Sequence, residues 1–533
     1  MTFSVLPAPR THFPGFSGFI SPHSKFIYMY SFLGKPHIKL LSSERGLGIL
    51  SSFMQSISSC AYTSLHQPIM FLSPSALVLL YLAHTAAGAV LNKRTTVGGT
   101  AVVHLDKSSG SPQQLASGIL YGIPDQQNQI PDGYYTGINF KYSRAGGAQT
   151  TGQGWIGSLA GYKTRFQSAL NNYKSTRKYG GTFILLPHDI WGADGTQAST
   201  VAYPGDNGDW SNYDAYLTQL ISDMKANNMI DNVVIDIWNE PDGKAFWNRP
   251  QSQYLDLWGR TFYRFKRDLP QCTTSGPSYA GAPDLSNTWW TNWASFIAKN
   301  GSIPTQYSWH MEGGGGDMQS SVSTYQTILR NNGLATDHVV NINEYGVWSE
   351  QGPAGSAWWI AQLERVNAYG LRGNWLSGNA LHDFMAGLLG KPHATDSSYS
   401  YTAGGYWPTG SWQVYHYYAK NMTGTRVSTD PTADLRGEVY AVVGSNKVRL
   451  LVGSRVATGT FNIQLSQLSA VGLPTSGTLQ IHTYGFPGSD DHYAELDAPT
   501  DLGVYGHPYS GNSVSFPIYQ TDVYTAYAFE FSI

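Results

Sequence analysis

Val233-Val234-Ile235-Asp236-Ile237-Trp238 runs directly into Asn239-Glu240-Pro241, and further along Val339-Val340-Asn341-Ile342-Asn343 runs into Glu344-Tyr345-Gly346. Each is a short apolar run that ends on a glutamate. In an α/β barrel the C-terminal ends of the strands carry the chemistry, and a carboxyl pair at two such ends can serve as acid and nucleophile on a glycosidic bond.

With a period of two, Val233, Ile235 and Ile237 share an aliphatic face suited to packing under helices, while Val234, Asp236, Trp238 and Glu240 share the other. Glu240 is therefore expected to point inward. Pro241 cannot donate to a sheet ladder, so the strand is expected to end there with the glutamate at the barrel mouth. In the second stretch, strict alternation that turns Glu344 inward turns Asn341 and Asn343 toward the helices. A local irregularity is expected near Glu344.

Working outward, short apolar runs alternate with longer segments of helical pattern, the signature of repeated βα units. The runs are Ser117 to Gly122, Phe140 to Arg144, Thr182 to Pro187, Val233 to Trp238, Thr273 to Gly276, Tyr307 to His310, Val339 to Asn343 and Leu371 to Trp375. They predict a (β/α)8 barrel over residues 115–424, with the two glutamate-bearing runs fourth and seventh. The fifth run is the weakest.

From about residue 425 to 533 the pattern changes to short alternating stretches separated by Gly, Pro, Ser and Asp, such as Val448 to Val452 and Tyr524 to Phe531. This predicts a β-sandwich domain. Residues 90–114 read as a linker with one strand, Thr96 to Leu105, that joins the sandwich.

The first ninety residues differ. Met70-Phe71-Leu72 leads into the apolar stretch Ala76 to Ala83, too short to span a bilayer, and then into Ala87-Gly88-Ala89, an A-x-A cleavage pattern. Residues 70–89 are expected to be a signal peptide, followed by a dibasic processing site at Lys93-Arg94. Residues 1–69 have no role in that scheme and read as a spurious or disordered extension. The mature chain is then expected to be secreted, extracellular and glycosylated, with sequons at Asn300 and Asn421. Of the two cysteines, Cys60 would be lost and Cys272 is expected to be a buried strand residue, so no disulfide forms.

Charged residues make up 13% of the chain, the formal net charge is -2, and no run of Lys or Arg occurs, which argues against a nucleic-acid partner. Once the leader is cleaved, no membrane association is expected. Aromatics reach 14%, with 16 Trp and 35 Tyr, side chains that pack a core and also stack on sugar rings. No His-x-His, Cys-x-x-Cys or His-Glu-x-x-His spacing occurs and no Gly-rich phosphate loop follows a strand. Neither a metal nor a cofactor is expected.

A glycosidic bond breaks through an oxocarbenium-like state that needs a proton on the leaving oxygen and negative charge opposite the anomeric carbon, and two carboxyls supply both. Other polar residues also stand near strand ends. His188-Asp189 closes the third run and either lines the cleft or is structural. Glu312 reads as a decoy carboxylate, because Gly313 to Gly316 behind it marks a loose loop. Asp236, deeper than Glu240, reads as hydrogen-bonded core.

The stretch Trp238-Asn239-Glu240-Pro241-Asp242-Gly243-Lys244-Ala245-Phe246-Trp247, followed by a helix through Tyr254 and Trp258 and then by Gly276-Pro277, resembles the acid/base region of glycoside hydrolase family 39, within the clan A retaining glycosidases. The resemblance implies a secreted hydrolase in which Glu240 is the acid/base, Glu344 the nucleophile and Asn239 the partner of the sugar 2-hydroxyl. It implies that Arg144, His310 and Trp375, at the ends of the second, sixth and eighth strands, hold the nucleophile's charge and the sugar. The expected substrate is a plant or microbial polysaccharide or oligosaccharide, and the expected state is a monomer. Two other readings stay open: a transglycosylase using the same glutamates, and a non-catalytic carbohydrate-binding cell-wall protein.

Overall fold

The computed structural model describes residues 95–313 and 317–533. The expected leader, its start at Met70 and its processing sites at Ala89 and Lys93-Arg94 lie outside the described residues, as do Cys60 and Gly314 to Gly316. Strands β1 (Thr95–Val97) and β2 (Thr100–Ser108) come first. Eight parallel strands then close into a barrel: β3 (Gly118–Leu120), β4 (Tyr142–Ala145), β5 (Thr182–Leu185), β6 (Val233–Asp236), β7 (Thr273–Tyr279), β8 (Gln306–Met311), β9 (Val339–Tyr345) and β10 (Tyr369–Arg372). The eight runs read from the sequence are these eight strands. Closure is direct, with Leu371 of β10 in register with Gly118 of β3.

Among the described residues, seven helices have at least eleven residues: α1 (Leu159–Lys178), α2 (Ser211–Ala226), α3 (Gln251–Asp268), α4 (Thr288–Asn300), α5 (Met318–Asn331), α6 (Pro353–Val366) and α7 (Gly410–Lys420). Helix α3 shows why they pack on the barrel. Tyr254, Leu257, Trp258, Thr261, Phe262 and Phe265 recur at three- and four-residue spacing, and all are buried. That helix explains the faint fifth strand. A Cβ at Gly276 of β7 would lie 2.2 Å from the Trp258 ring, so close packing demands a glycine where strand propensity is lowest. Strand β7 nevertheless runs seven residues.

One local expectation is corrected and another is met. Strand β6 ends at Asp236, not at Pro241, and Glu240 takes a left-handed backbone at φ 38° with its N–H donating to Ser278 O at 2.9 Å. Alternation therefore does not extend to Glu240; the turn aims it. In β9 the pairing with β8 slips, so that Trp309 faces Ile342 while His310 faces Glu344. The extra residue is Asn343. This bulge is the irregularity expected near Glu344: Asn343 reaches Asp236 and Ser278 inside the barrel, and Asn341 is in register with Ser308, whose hydroxyl joins Ser278. Tyr345 turns outward to Tyr415 and Trp359. Without the extra residue, either the asparagines or Glu344 would be pressed into the apolar layer.

After β10, a small antiparallel pair, β11 (Leu389–Gly390) and β12 (Trp407–Pro408), sits in the last loop. The C-terminal sandwich holds β13 (Thr425–Asp430), β14 (Gly437–Val443), β15 (Lys447–Ser454), β16 (Ala457–Ser466), β17 (Gly477–Phe486), β18 (Thr500–Tyr509), β19 (Ser513–Gln520) and β20 (Ala526–Ser532), together with β1 and β2. Strand β13 pairs with β2 on one side and β14 on the other, with a register shift at Val427 and Ser428 where it passes between sheets. Val103, Val439, Leu450, Phe461, Ile463, Ile481 and Phe529 fill the space between them. Buried ion pairs fasten α6 and the loop before it to this domain: Glu364 with Arg426 at 2.7 Å, Glu350 with Arg455 at 2.7 Å, and Arg365 with Glu438. Among the described residues no helix is long and apolar enough to cross a membrane.

Candidate active site

A buried arginine organises the C-terminal face of the barrel. Arg144, on β4 and fully buried, donates from Nε to Asp236 at 2.8 Å, from Nη1 to Glu344 at 2.5 Å and from Nη2 to Asn239 Oδ1 at 2.6 Å. One planar fork thus fixes three residues from two other strand ends. Asp236, itself fully buried, also accepts from Ser278 Oγ at 2.6 Å and Asn343 Nδ2 at 2.8 Å, and the Ser278 hydroxyl lies 2.9 Å from that of Ser308. This is a connected polar layer under the mouth, and a cation as strongly held as Arg144 keeps its proton more tightly than usual, because Asp236 and Glu344 outweigh the cost of its burial.

His310, at the end of β8, stands between the two glutamates. Its Nδ1 lies 2.9 Å from Glu240 and 3.5 Å from Glu312, and its Nε2 lies 3.6 Å from Glu344. Burial disfavours the imidazolium, yet Glu344, Glu240 and Glu312 together outweigh it and lift the pKa to about 10. For Glu344, burial dominates and raises the carboxyl to about 7, against the pull of His310 and Arg144 and with a further push from Glu312. Asp242, half-buried beside Glu240, is raised to about 6 by desolvation first and by that neighbour's charge, against a hydrogen bond from the Ala280 N–H.

Arg144, Asn239, Glu240, His310 and Glu344 are brought together in one network. Trp375 borders it: its indole folds over Gly373, where a Cβ would be 2.3 Å from the ring, and donates to Gly346 O at 2.6 Å, two residues past Glu344. His188 is not in the network. It is buried on the short helix Pro187–Trp191, pairs with Asp189 at 3.0 Å and faces Trp238 and Phe246. Glu312 is not a decoy set apart on a loop, because it sits at His310 within reach of both other glutamates. Ser278, Asn343 and Asp242 were missed by sequence reasoning. Ser278 and Asn343 lie at irregular strand positions that periodicity does not mark, although the two asparagines flanking Ile342 hinted at an inner polar layer.

The ligand atoms of Glu240, His310 and Glu312 lie within 4.8 Å of one another, a spacing that suits a cation as well as a proton. With its pKa lifted to about 10, the His310 imidazolium donates to Glu240. Cys272 has no part in this chemistry: it is buried just before β7, and burial pushes its thiol up to about 12.

No family model and no curated protein matches the chain. Solved structures do. N2152 from Neocallimastix frontalis superposes with a TM-score of 0.62 at 18% identity, covering 82% of this chain and 99% of that one. A glucosidase from Croceicoccus marinus superposes with a TM-score of 0.50 at 12% identity, with coverage of 82% and 99%. The chain shares their fold. At such identities the fold alone is carried across, and chemistry has to be argued from the site.

Proposed function

We propose that this chain is a retaining O-glycoside hydrolase of clan A, most like family 39, acting on a plant or microbial polysaccharide or oligosaccharide. The observation that carries the reading is the convergence of Glu240 and Glu344 on His310, with Arg144 binding Glu344 and Asn239 at once. That a glucosidase shares the fold is consistent with it.

In this mechanism Glu344 is the nucleophile. Arg144 and His310 hold its charge until it attacks the anomeric carbon, and forming the glycosyl ester then removes that charge. Glu240 is the acid that protonates the leaving oxygen. It is less enclosed than Glu344, with 17% of its side chain open against 10%, so it can meet first the leaving group and then the incoming water. After departure it is a carboxylate and takes a proton from that water. Asn239 has its Oδ1 committed to Arg144, which leaves its amide N–H groups to donate to the sugar 2-hydroxyl. Trp375 supplies an apolar wall for the sugar ring.

We further propose that the protein is secreted after cleavage of the segment beginning at Met70 and is glycosylated outside the cell. The decisive experiment is a screen of aryl glycosides, with the anomeric form of the first-formed product followed by NMR. Net retention supports the double displacement, and inversion or no hydrolysis of any glycoside removes it.

A further inference from the structure

We propose that the seam between barrel and β-sandwich carries an accessory subsite for a neutral oligosaccharide, built on Trp348. This rests on the glycosidase reading and locates where sugar units beyond the one being cleaved are held.

Trp348 lies four residues past Glu344, in the single-turn helix Trp348–Glu350 that leaves the seventh barrel strand on the C-terminal face. Its side chain is 37% exposed, unusual for an indole in this protein, where eight of the largest fully buried side chains are tryptophans. The indole is stacked on His492, with centroids 4.3 Å apart and planes at 23°, and His492 belongs to the sandwich, on the connection from β17 to β18. Tyr493 adds a third ring at 6.2 Å. A flat indole backed on one side and open to solvent is a surface on which the C–H face of a pyranose stacks.

The platform is held in place from the active site. The His492 ring donates from Nδ1 to Gln351 O at 3.2 Å, and the Gln351 amide donates to Gly346 O at 2.9 Å and Gly373 O at 2.5 Å, just beyond the seventh and eighth strands. Burial also holds His492 below the usual histidine range, so the ring stays neutral at neutral pH.

Beside the platform is a crevice of about 220 Å3 lined by His492, Gly352, Pro353, Ser411, Asp491 and Glu495. The start of α7 brings Gly410 and Ser411 to its lining from the barrel side, while Asp491 and Glu495 come from the sandwich side. A serine hydroxyl on one wall and carboxylate acceptors on the other match a ligand whose hydroxyls both accept and donate. An anionic ligand would meet the two carboxylates, and an apolar one would make no use of them. A neutral saccharide satisfies both walls and the indole together.

The test uses the full chain. In a Glu344→Gln background, which binds without turnover, cellohexaose, xylohexaose and the matching p-nitrophenyl monoglycosides are titrated by calorimetry. Trp348→Ala should weaken hexasaccharide binding roughly three- to tenfold, as expected for loss of one stacked ring, and leave the monoglycoside unchanged. Glu495→Gln, which keeps shape and lies exposed, should weaken it about twofold. In the active protein the Trp348→Ala change should appear in KM for the hexasaccharide and not in kcat for the aryl substrate. Unchanged hexasaccharide affinity, or an equal loss for the monoglycoside, overturns the subsite while wild-type hydrolysis leaves the glycosidase reading standing. Failure of wild-type protein to hydrolyse any glycoside of the wider aryl-glycoside screen overturns both.

Discussion

Arg144 Nη1 lies 2.5 Å from Glu344 Oε1, across the barrel from the second strand to the seventh, with neither side chain more than one-tenth exposed. Because the same guanidinium neutralises Asp236, removing it strands two buried carboxylates. Arg144→Ala should cost about 3 to 5 kcal/mol of stability, the usual consequence of leaving buried charge unpaired. Arg144→Lys keeps the charge and loses the fork. It should fold more stably than Arg144→Ala yet lose on the order of a hundredfold in kcat, since a point ammonium cannot hold Glu344, Asp236 and Asn239 together. Urea denaturation and initial rates on an aryl glycoside check both halves. Full activity in the lysine variant would show that the fork is not needed.

The two glutamates should fail differently. Glu344→Gln removes the only proposed nucleophile at constant volume and should abolish turnover on every glycoside while the far-ultraviolet circular dichroism stays unchanged. Glu240→Gln removes the proton donor, costing about 10² to 10⁴ in rate where the leaving group needs protonation. With a dinitrophenyl leaving group, which departs unprotonated, the glycosylation step should recover. A burst of dinitrophenol followed by slow turnover is the expected trace. The same loss in both variants on both substrates would reverse or remove the assignment of roles.

Much of this site was legible because its two glutamates follow apolar runs that no surface turn would carry, and because Arg144 and His310 close other such runs. The barrel was legible for the same reason, repeated eight times. What stayed hidden obeys packing rather than pattern. Gly276 is set by the Trp258 ring, so the fifth strand carries a weak signal. Asn343 points inward only because a bulge adds it to β9, and Glu312 was discounted for the glycines behind it although β8 delivers it to His310. Glu240 was given the right destination for the wrong reason, since a left-handed turn, not strand alternation, aims it.

Gly276→Ala tests the packing claim directly. A methyl 2.2 Å from the Trp258 ring forces β7 or α3 to shift, at a cost of roughly 1 to 3 kcal/mol. The next residues of β7 include Ser278, whose carbonyl receives the Glu240 N–H and whose hydroxyl receives Asn343. Activity should therefore fall with stability, and Trp258→Phe in the same chain should restore part of both by freeing space. Wild-type melting in the single variant would show that the helix gives way freely.

Three groups of the site bind protons more tightly in the fold than in an unfolded chain: Asp242 at about 6, Glu344 at about 7 and His310 at about 10, against ordinary values of 3.8, 4.5 and 6.5. The stability that His310 contributes is fully present below pH 6.5 and is lost as pH rises through about 10. Glu344 and Asp242 act in the same sense at lower pH, between their ordinary and raised values. Over these windows stability should therefore fall with rising pH, by roughly 1.4 kcal/mol per unit for each extra proton held. Asp206 and Asp268, lowered to about 2 by arginine partners, oppose this only in acid, where their contribution is lost as pH falls through 2. Activity should run the other way near neutrality, because Glu344 attacks as a carboxylate, so kcat/KM should drop as pH falls through about 7. His310→Asn should flatten the stability slope between pH 7 and 10 and move the activity limb upward, since the imidazolium is the strongest pull lowering the Glu344 pKa. An acid limb unmoved in that variant would separate His310 from the ionisation of Glu344, and would leave Arg144 as the group that holds the nucleophile's charge.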